Sequence, residues 1–493
     1  MAGLVLVNPW VEGISNNKPP LGLGYLVAYL KARLGYDQVR VVNTGSRVLE
    51  RIAELQPELV GFTAYSANFP EVMALSEKVK RDMGIPVLLG GPHVTALPES
   101  LPRWVDVGVI GEGEETLLDL MRLFLDRRAL PPSRLCEIPG LAFWDGDRLV
   151  RTSARPPIVP LDNIPPPDRE ALDIERYLAP SQILMNNEYV RGTTILTSRG
   201  CPFRCVYCHV SAKWGRVRYH SPGRVADEIA MLVHTYRVEG IYIADDLFSA
   251  NLHRVRAITR GLRERGVLGK VRFFLDLRAN LVSEPLMEAL KEMGVVRVSL
   301  GLESGSERIL RYLKGGDVTV EDGRRAVRIA NRLGIGCHCC FMLGSPGETV
   351  EDIRLTQNLI REILELSPQN FCQVNVTTPL PGTPLWDYAR QRGLIPHEID
   401  WRQYSLDPTL ASAPDFYVNE VIPFSEFRRL VDETFHLANS RRFESILRRL
   451  SWRYVTHAIR RPRLALQIVG DWLRFRALSK ASGEALDRSP QAY

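Results

Sequence analysis

The chain has 493 residues, 63 Lys+Arg against 57 Asp+Glu for a formal net charge of +6, and 45% apolar residues. That length and apolar content are enough for two or three cored domains and exclude disordered and collagen-like classes; so small a basic surplus does not mark a nucleic-acid binder. No apolar run reaches the ~18 residues needed to span a bilayer, and Leu4 to Val7 is cut off by Asn8-Pro9 before it could act as a signal peptide, so a soluble, cytoplasmic protein is expected.

In chain order, short β-rich runs at 4–7, 39–42, 59–63, 86–89 and 105–110 alternate with helical patterns such as Leu23 to Leu34 and Phe69 to Met83. This alternation predicts an α/β first domain over 1–150 with a parallel, Rossmann-like sheet. Pro156-Pro157, Pro160 and Pro165-Pro166-Pro167 exclude a helix interior or a central strand, so 151–190 reads as a proline-rich linker packed over the surface. From 191 to 420 a second β/α series begins, with strands expected at 193–198, 241–244, 271–276, 295–300, 335–342 and 371–377. Six strands are too few for a closed eight-unit barrel, so a partial (β/α)6 barrel is predicted. After Pro423 the pattern turns helical, giving an α-helical C-terminal module over 421–493.

Eight cysteines are too few for a disulfide scaffold, and they cluster: Cys136 and Cys372 stand apart from Cys201, Cys205 and Cys208 and from Cys337, Cys339 and Cys340. The stretch Ser198-Arg-Gly-Cys201-Pro-Phe-Arg-Cys205-Val-Tyr-Cys208 follows a predicted strand directly. Three thiolates at this spacing suit three irons of a [4Fe–4S] cube with the fourth iron left open. A zinc knuckle with His209 as fourth ligand and inert core cysteines are the competing readings.

With this triplet the chain resembles the radical S-adenosylmethionine (SAM) enzymes, and the likeness continues in order over about 193–390. The resemblance implies that Cys201, Cys205 and Cys208 hold the cluster and that SAM binds its open iron, to be cleaved to a radical that abstracts hydrogen from an unactivated carbon. It places Tyr207 near the adenine, Asp245 and Asp246 at the SAM amino group, and Arg278 at its carboxylate. Glu303 and Ser304 fall at the ribose, and Met342 and Pro381 on the strand ends flanking the adenine.

The first domain resembles cobalamin-binding folds, through Asn8-Pro-Trp10, Lys18-Pro-Pro20-Leu21-Gly-Leu-Gly24, Thr63-Ala-Tyr65, Gly90-Gly91-Pro-His93 and Gly111-Glu112-Gly-Glu114. Those residues are the ones the resemblance implies for cobalamin. Trp10 stands where such folds often carry a cobalt-ligating histidine and cannot ligate, so the cobalt should lack a histidine ligand. His93 is a weaker alternative ligand. The corrin is expected at the carboxyl ends of the strands, facing the second domain.

Strand alternation puts Cys337 and Cys339 on one face of the fifth barrel strand and His338 and Cys340 on the other. Core packing, lining of a reaction chamber by His338 and Cys340, and an auxiliary cluster with Cys372 are the three readings. Between 439 and 480 stand 11 basic residues against two acidic ones, interleaved with Trp452, Tyr454, Trp472 and Phe475. This stretch suits a solvated helical cap, or peripheral contact with an anionic membrane surface, more than it suits RNA.

The resemblance therefore implies a cobalamin-dependent radical SAM enzyme that transfers a methyl group to an unactivated carbon of a small-molecule or lipid-like substrate, served by a one-electron reductant such as flavodoxin or ferredoxin. Its alternatives are radical ring formation without net methylation, RNA modification, and a non-catalytic cobalamin or Fe–S sensor.

Overall fold

A computed structural model describes residues 3–9, 18–178, 183–185, 188–210, 216–248, 251–404 and 416–448. The first sheet joins β1 (Leu4–Pro9), β2 (Val39–Thr44), β3 (Leu59–Thr63), β4 (Val87–Gly90) and β5 (Val107–Val109) in parallel, in the order β2-β1-β3-β4-β5. Two antiparallel strands, β6 (Leu141–Asp145) and β7 (Arg148–Arg151), extend its edge. Residues of β1 such as Leu4 and Leu6 bury into one apolar layer and Val5 and Val7 into another. The sheet is thus covered on both faces, as a parallel sheet must be. Leu21–Leu34 and Gly113–Arg127 lie over the first layer; Phe69–Met83 lies over the second.

The proline-rich segment does more than cross the surface. Leu161, Ile164 and Leu172 are buried in the first core, while the buried Arg169 donates to Glu228 (2.7 Å) and to the Thr194 carbonyl (2.9 Å) of the second domain. Gly24 permits this close packing, because a Cβ there would meet Leu172 Cδ1 at 2.7 Å.

A small hairpin of β8 (Ile183–Met185) and β9 (Glu188–Val190) precedes the second sheet. That sheet runs β10 (Gly192–Ile195), β13 (Gly240–Ile243), β14 (Arg272–Leu277), β15 (Val295–Glu303), β16 (Gly336–Leu343) and β17 (Phe371–Val376), all parallel and in sequence order. Two-residue strands β11 (Ser198–Arg199) and β12 (Arg218–Tyr219) pair beside its mouth. β10 and β17 are the two ends of the order, so the barrel is open, as six strands predicted. Its outer helices start where caps dictate: Thr319 with Asp322 and Thr349 with Asp352 form capping boxes for Val320–Arg332 and Val350–Leu366.

The C-terminal helix, Phe424–Arg448, is not a detached appendage over its first four turns. Phe427, Leu430, Val431 and Ala438 are buried in the barrel's own core. Gln357 donates to Thr434 (2.8 Å) and Arg354 pairs with Glu433 (2.8 Å). The basic, aromatic stretch beyond residue 448 lies outside the described residues. Among the described residues no helix is long and apolar enough to cross a membrane.

Candidate active site at the junction of the two domains

The carboxyl ends of both sheets face each other. Residues after β4 and β5 meet residues from the barrel mouth: Ala96 packs against Gly382, where an added Cβ would lie 3.2 Å away, and the His93 ring meets Trp401 edge-on at 4.6 Å. Gly91 makes the sharp exit from β4 at φ +102°, and a Cβ there would press to 2.5 Å from the Ala64 carbonyl, so no larger residue fits. Gly111 leaves β5 at φ +87°, and its N–H donates to the Thr95 hydroxyl at 3.1 Å.

The cysteine loop leaves β11 into this junction and is braced from below. Asp245 is fully buried at the end of β13, and its carboxylate accepts from the Thr197 N–H (2.5 Å) and the Thr197 and Ser198 hydroxyls (2.5 and 2.7 Å). Asp246 accepts from the Gly200 N–H at 2.8 Å. Burial raises both carboxyls and these donors pull them back. Both aspartates thus brace the backbone just ahead of Cys201.

Arg278, at the end of β14, donates to Cys205 Sγ at 3.3 Å, lies over the Phe203 ring at 3.9 Å, and pairs with Asp317. Burial raises the Cys201 thiol, and charge on Cys208 and Cys205 adds to that rise while Arg278 opposes it. Three cysteines on one loop are the donor set that a cube of irons takes, one thiolate to each of three irons. Among the described residues no group of three or more His, Cys, Asp or Glu side chains converges on a single-ion position. A zinc knuckle would need that convergence, whereas a cube takes each cysteine on its own iron. His209 directs Nδ1 to the Pro381 carbonyl at 3.2 Å.

On the opposite side Tyr207 donates its hydroxyl to Glu303 Oε1 at 2.7 Å, and Lys314, at 3.2 Å from that same oxygen, also donates to the Gly301 carbonyl. Glu303 holds φ +62°, a left-handed conformation that non-glycine residues seldom adopt, where the β15–β16 register shifts. Burial and the Glu303 charge both push the Tyr207 phenol well up. The expected Tyr207 and Glu303 are thus brought together beside the cysteines, with a carboxylate suited to vicinal hydroxyls. Lys314 completes the group, and no sequence motif signalled it. Met342 is half-buried on β16. The buried Ser304 hydroxyl is bonded to Thr356 (3.2 Å) and accepts from the Ser306 N–H (3.1 Å).

In the first domain the proposed cobalamin residues divide. Asn8 is buried and donates to Asn43 (2.9 Å), and the Tyr65 N–H donates to Asn68 Oδ1 (2.9 Å). Pro20 caps the helix that begins at the buried Leu21, and Thr63 and Gly90 end their strands. His93 stacks on Phe69 at 3.8 Å and bonds Ser66 through Nδ1 at 3.0 Å; burial lowers it to about 3. It packs at the interface between the two domains, with Nδ1 engaged by Ser66. Trp10 lies outside the described residues.

Glu112 does not face open space. It accepts from Arg218 (3.0 Å) and Arg199 (3.3 Å) across the junction, while Glu114 takes Arg199 at 2.6 Å. The two arginines are register partners on β11 and β12. Burial alone would raise the Glu112 carboxyl, but both guanidiniums outweigh it and hold it low. This four-residue ionic cluster clasps the cysteine hairpin to the first domain, a pairing no local motif announces.

Comparison with known proteins agrees with this arrangement. The Radical SAM superfamily profile matches 195–360 and the B12 binding domain profile matches 11–121. A protein of Pyrococcus horikoshii described as an uncharacterized methyltransferase is 30% identical over 424 residues, 83% of this chain and 87% of that protein. The anaerobic magnesium-protoporphyrin IX monomethyl ester cyclase of Rubrivivax gelatinosus is 32% identical over 71% of this chain, which spans 63% of the cyclase. The hopanoid C-2 methylase of Rhodopseudomonas palustris is 23% identical over 81% of this chain and 69% of its own. Among solved structures, the cobalamin-dependent SAM radical enzyme OxsB covers 97% of this chain and 75% of its own at a TM-score of 0.70 and 16% identity. The methyltransferase TsrM of Kitasatospora setae covers 80% of this chain and 76% of its own at 0.62 and 22%. At such identities the likeness is one of fold.

A SAM-type cysteine loop at the mouth of an open barrel, faced by a B12-binding sheet, defines a class, and this chain belongs to it: the radical SAM superfamily, in the branch that carries a B12-binding domain. Its cofactors are a [4Fe–4S] cluster, SAM and cobalamin.

Proposed function

We propose that this enzyme methylates an unactivated carbon of a small molecule held inside the barrel. The observation that carries the reading is the opposition of the two sheets' carboxyl ends with the cysteine hairpin clasped between them, which would bring cluster, SAM and corrin to one space. Bound there, the cluster and SAM supply a hydrogen-abstracting radical and the corrin carries the methyl group. The residues of the chain hold and orient. Cys201, Cys205 and Cys208 take the cluster, Tyr207, Glu303 and Lys314 line the adenosine side, and Asp245, Asp246, Glu112 and Arg199 fix the loop. The strand ends at Gly91 and Gly111 would face the corrin. A one-electron donor of the flavodoxin or ferredoxin kind is the partner this chemistry requires.

The test is incubation of the reconstituted enzyme with methyl-deuterated SAM, reductant and a cell extract. Labelled product is expected. 5′-Deoxyadenosine without label would replace this reading with ring formation lacking net methylation, which the 32% identity to the Rubrivivax cyclase makes the second choice.

A further inference from the structure

Strand alternation splits the barrel cleanly. Ile243, Leu275, Val298, Cys337, Cys339 and Cys372 point outward into the apolar core beneath the helices. Burial pushes the Cys337 thiol up to about 12, and it raises Cys339 further, which makes them inert packing residues. The residues between them point into the lumen, and they are joined in one polar belt.

Tyr242 of β13 donates to Asp276 of β14 at 2.5 Å. Ser299 of β15 stands in register between Asp276 of β14 and His338 of β16, on the same face as Cys340. The Cys340 sulfur lies 3.6 Å from His338 Nε2, which is 3.0 Å from Gln373 Oε1 on β17, and the Gln373 amide donates to Asn375 at 3.1 Å. Lys18, from the first domain, places its ammonium 4.1 Å above the Tyr242 ring, within reach of the Asp276 charge. The belt crosses five consecutive strands below the cysteine loop. Gln373 is exposed although it points into the barrel, so the lumen is open to a solute. Phe274 and Phe371 give the belt flat walls, with His338 stacked on Phe371 at 4.0 Å.

We propose that this lumen selects a water-soluble substrate bearing several hydroxyl, amine or carboxylate groups, and rejects a hydrocarbon skeleton. A hydrocarbon would strip water from Lys18, Gln373 and Asn375 and return no hydrogen bond, whereas a polar solute replaces that water group for group. Lys18 closes the belt from the first domain, so substrate selection draws on both domains. The inference rests on the barrel being the reaction chamber of the function proposed above.

The experiment divides a cell extract into aqueous small-molecule and organic-soluble lipid fractions and adds each to the cofactor-loaded enzyme with methyl-deuterated SAM and reductant. Stimulation of 5′-deoxyadenosine formation reads which fraction holds the substrate, and label transfer separately reads the chemistry. Stimulation by the aqueous fraction, with or without label, supports the inference. Stimulation by the lipid fraction alone, or by neither, overturns it, even where labelled lipid upholds methyl transfer. Gln373→Leu should raise the half-saturating amount of the aqueous fraction about tenfold, as loss of one hydrogen bond does. It should also abolish the rise in melting temperature that this fraction gives the wild type. Asn375→Leu serves if Gln373→Leu fails to fold, and unchanged half-saturation and melting shift in a folded variant would overturn the assignment.

Discussion

Arg278 shows how one side chain shifts a chemical expectation. A cation at the end of the third barrel strand suggested a partner for the SAM carboxylate, yet its Nη1 is spent on Cys205 Sγ at 3.3 Å and its Nη2 on Asp317. A charged hydrogen bond to a cluster sulfur favours the reduced, more negative cluster. Arg278→Gln is therefore expected to lower the cluster midpoint potential by roughly 60–130 mV, the equivalent of ~1.5–3 kcal/mol at 59 mV per tenfold, read by redox titration of its electron paramagnetic resonance signal. An unmoved potential would return Arg278 to the SAM carboxylate. The iron itself is checked more simply, since a Cys201/Cys205/Cys208→Ala variant should lose the cluster absorbance while keeping its fold. Glu348 gives a pH signature. It is buried, its carboxylate accepts from the Gly344 and Ser345 N–H groups (2.5 and 3.1 Å), and burial nonetheless lifts its pKa to about 8. A carboxyl raised in the folded state contributes its full stability below the unfolded pKa near 4.5 and loses it as pH climbs through about 8. Glu348→Gln should thus gain on the wild type by up to ~1.4 kcal/mol per pH unit across that window, seen in melting curves at stepped pH. The cysteine spacing and the inward pairing of His338 with Cys340 were legible because each depends only on neighbours in the chain. The destinations of the Asp245 and Arg278 side chains were not, because they depend on partners supplied by other strands.

Among the elements, strands β1 to β5, β10 and β13 to β17 fall within a few residues of the runs that predicted them, whereas the hairpin β8–β9 and strand β12 were not predicted. The first sheet's strands, covered on both faces, are nearly continuously apolar, and the barrel strands keep apolar residues at their outward positions, which is why both could be read. The antiparallel pair β6 and β7 was missed, although Asp145-Gly146 at its turn is a recognised hairpin signal, with Gly146 at φ +58°. Its strands alternate weakly and run directly into the proline-rich segment. The clasp between β11–β12 and the first domain was invisible for a different reason. Glu112 and Arg218 are more than a hundred residues apart, and Gly111-Glu112 reads locally as a ligand turn. In the structure two guanidiniums on paired strands are neutralised by Glu112 and Glu114, all with side chains at most 18% exposed. Removing one charge from such a set strands the others. Glu112→Gln should therefore destabilise the protein by about 3–5 kcal/mol in urea unfolding. It should also broaden the distance between the reduced cluster and cob(II)alamin in pulsed electron paramagnetic resonance, because the hairpin that bears Cys201 loses its tie to the corrin domain. A stability loss with an unchanged, narrow distance would show the clasp to be structural alone.

Across the whole molecule the charge surplus has a definite address. Residues 449–493 hold nine Lys and Arg against three Asp and Glu, a balance of +6 equal to that of the entire chain, which leaves 1–448 neutral. The expected boundary near 420 is the wrong place to separate this surplus from the catalytic body. Phe427, Leu430 and Val431 are 0%, 0% and 4% exposed in the barrel core, and each buried side chain of that size contributes ~1.5–3 kcal/mol. A chain ended at 420 should lose barrel stability and cluster together, whereas one ended at 448 should keep iron content and melting temperature. If the basic stretch is the part that meets an anionic surface, the 448 truncation should also cease to sediment with phosphatidylserine-containing vesicles at low salt, while the full chain sediments and is released as salt rises. Equal sedimentation of the two chains would assign the charge to solubility, and a polar substrate in the barrel would then be reached from solution without a membrane.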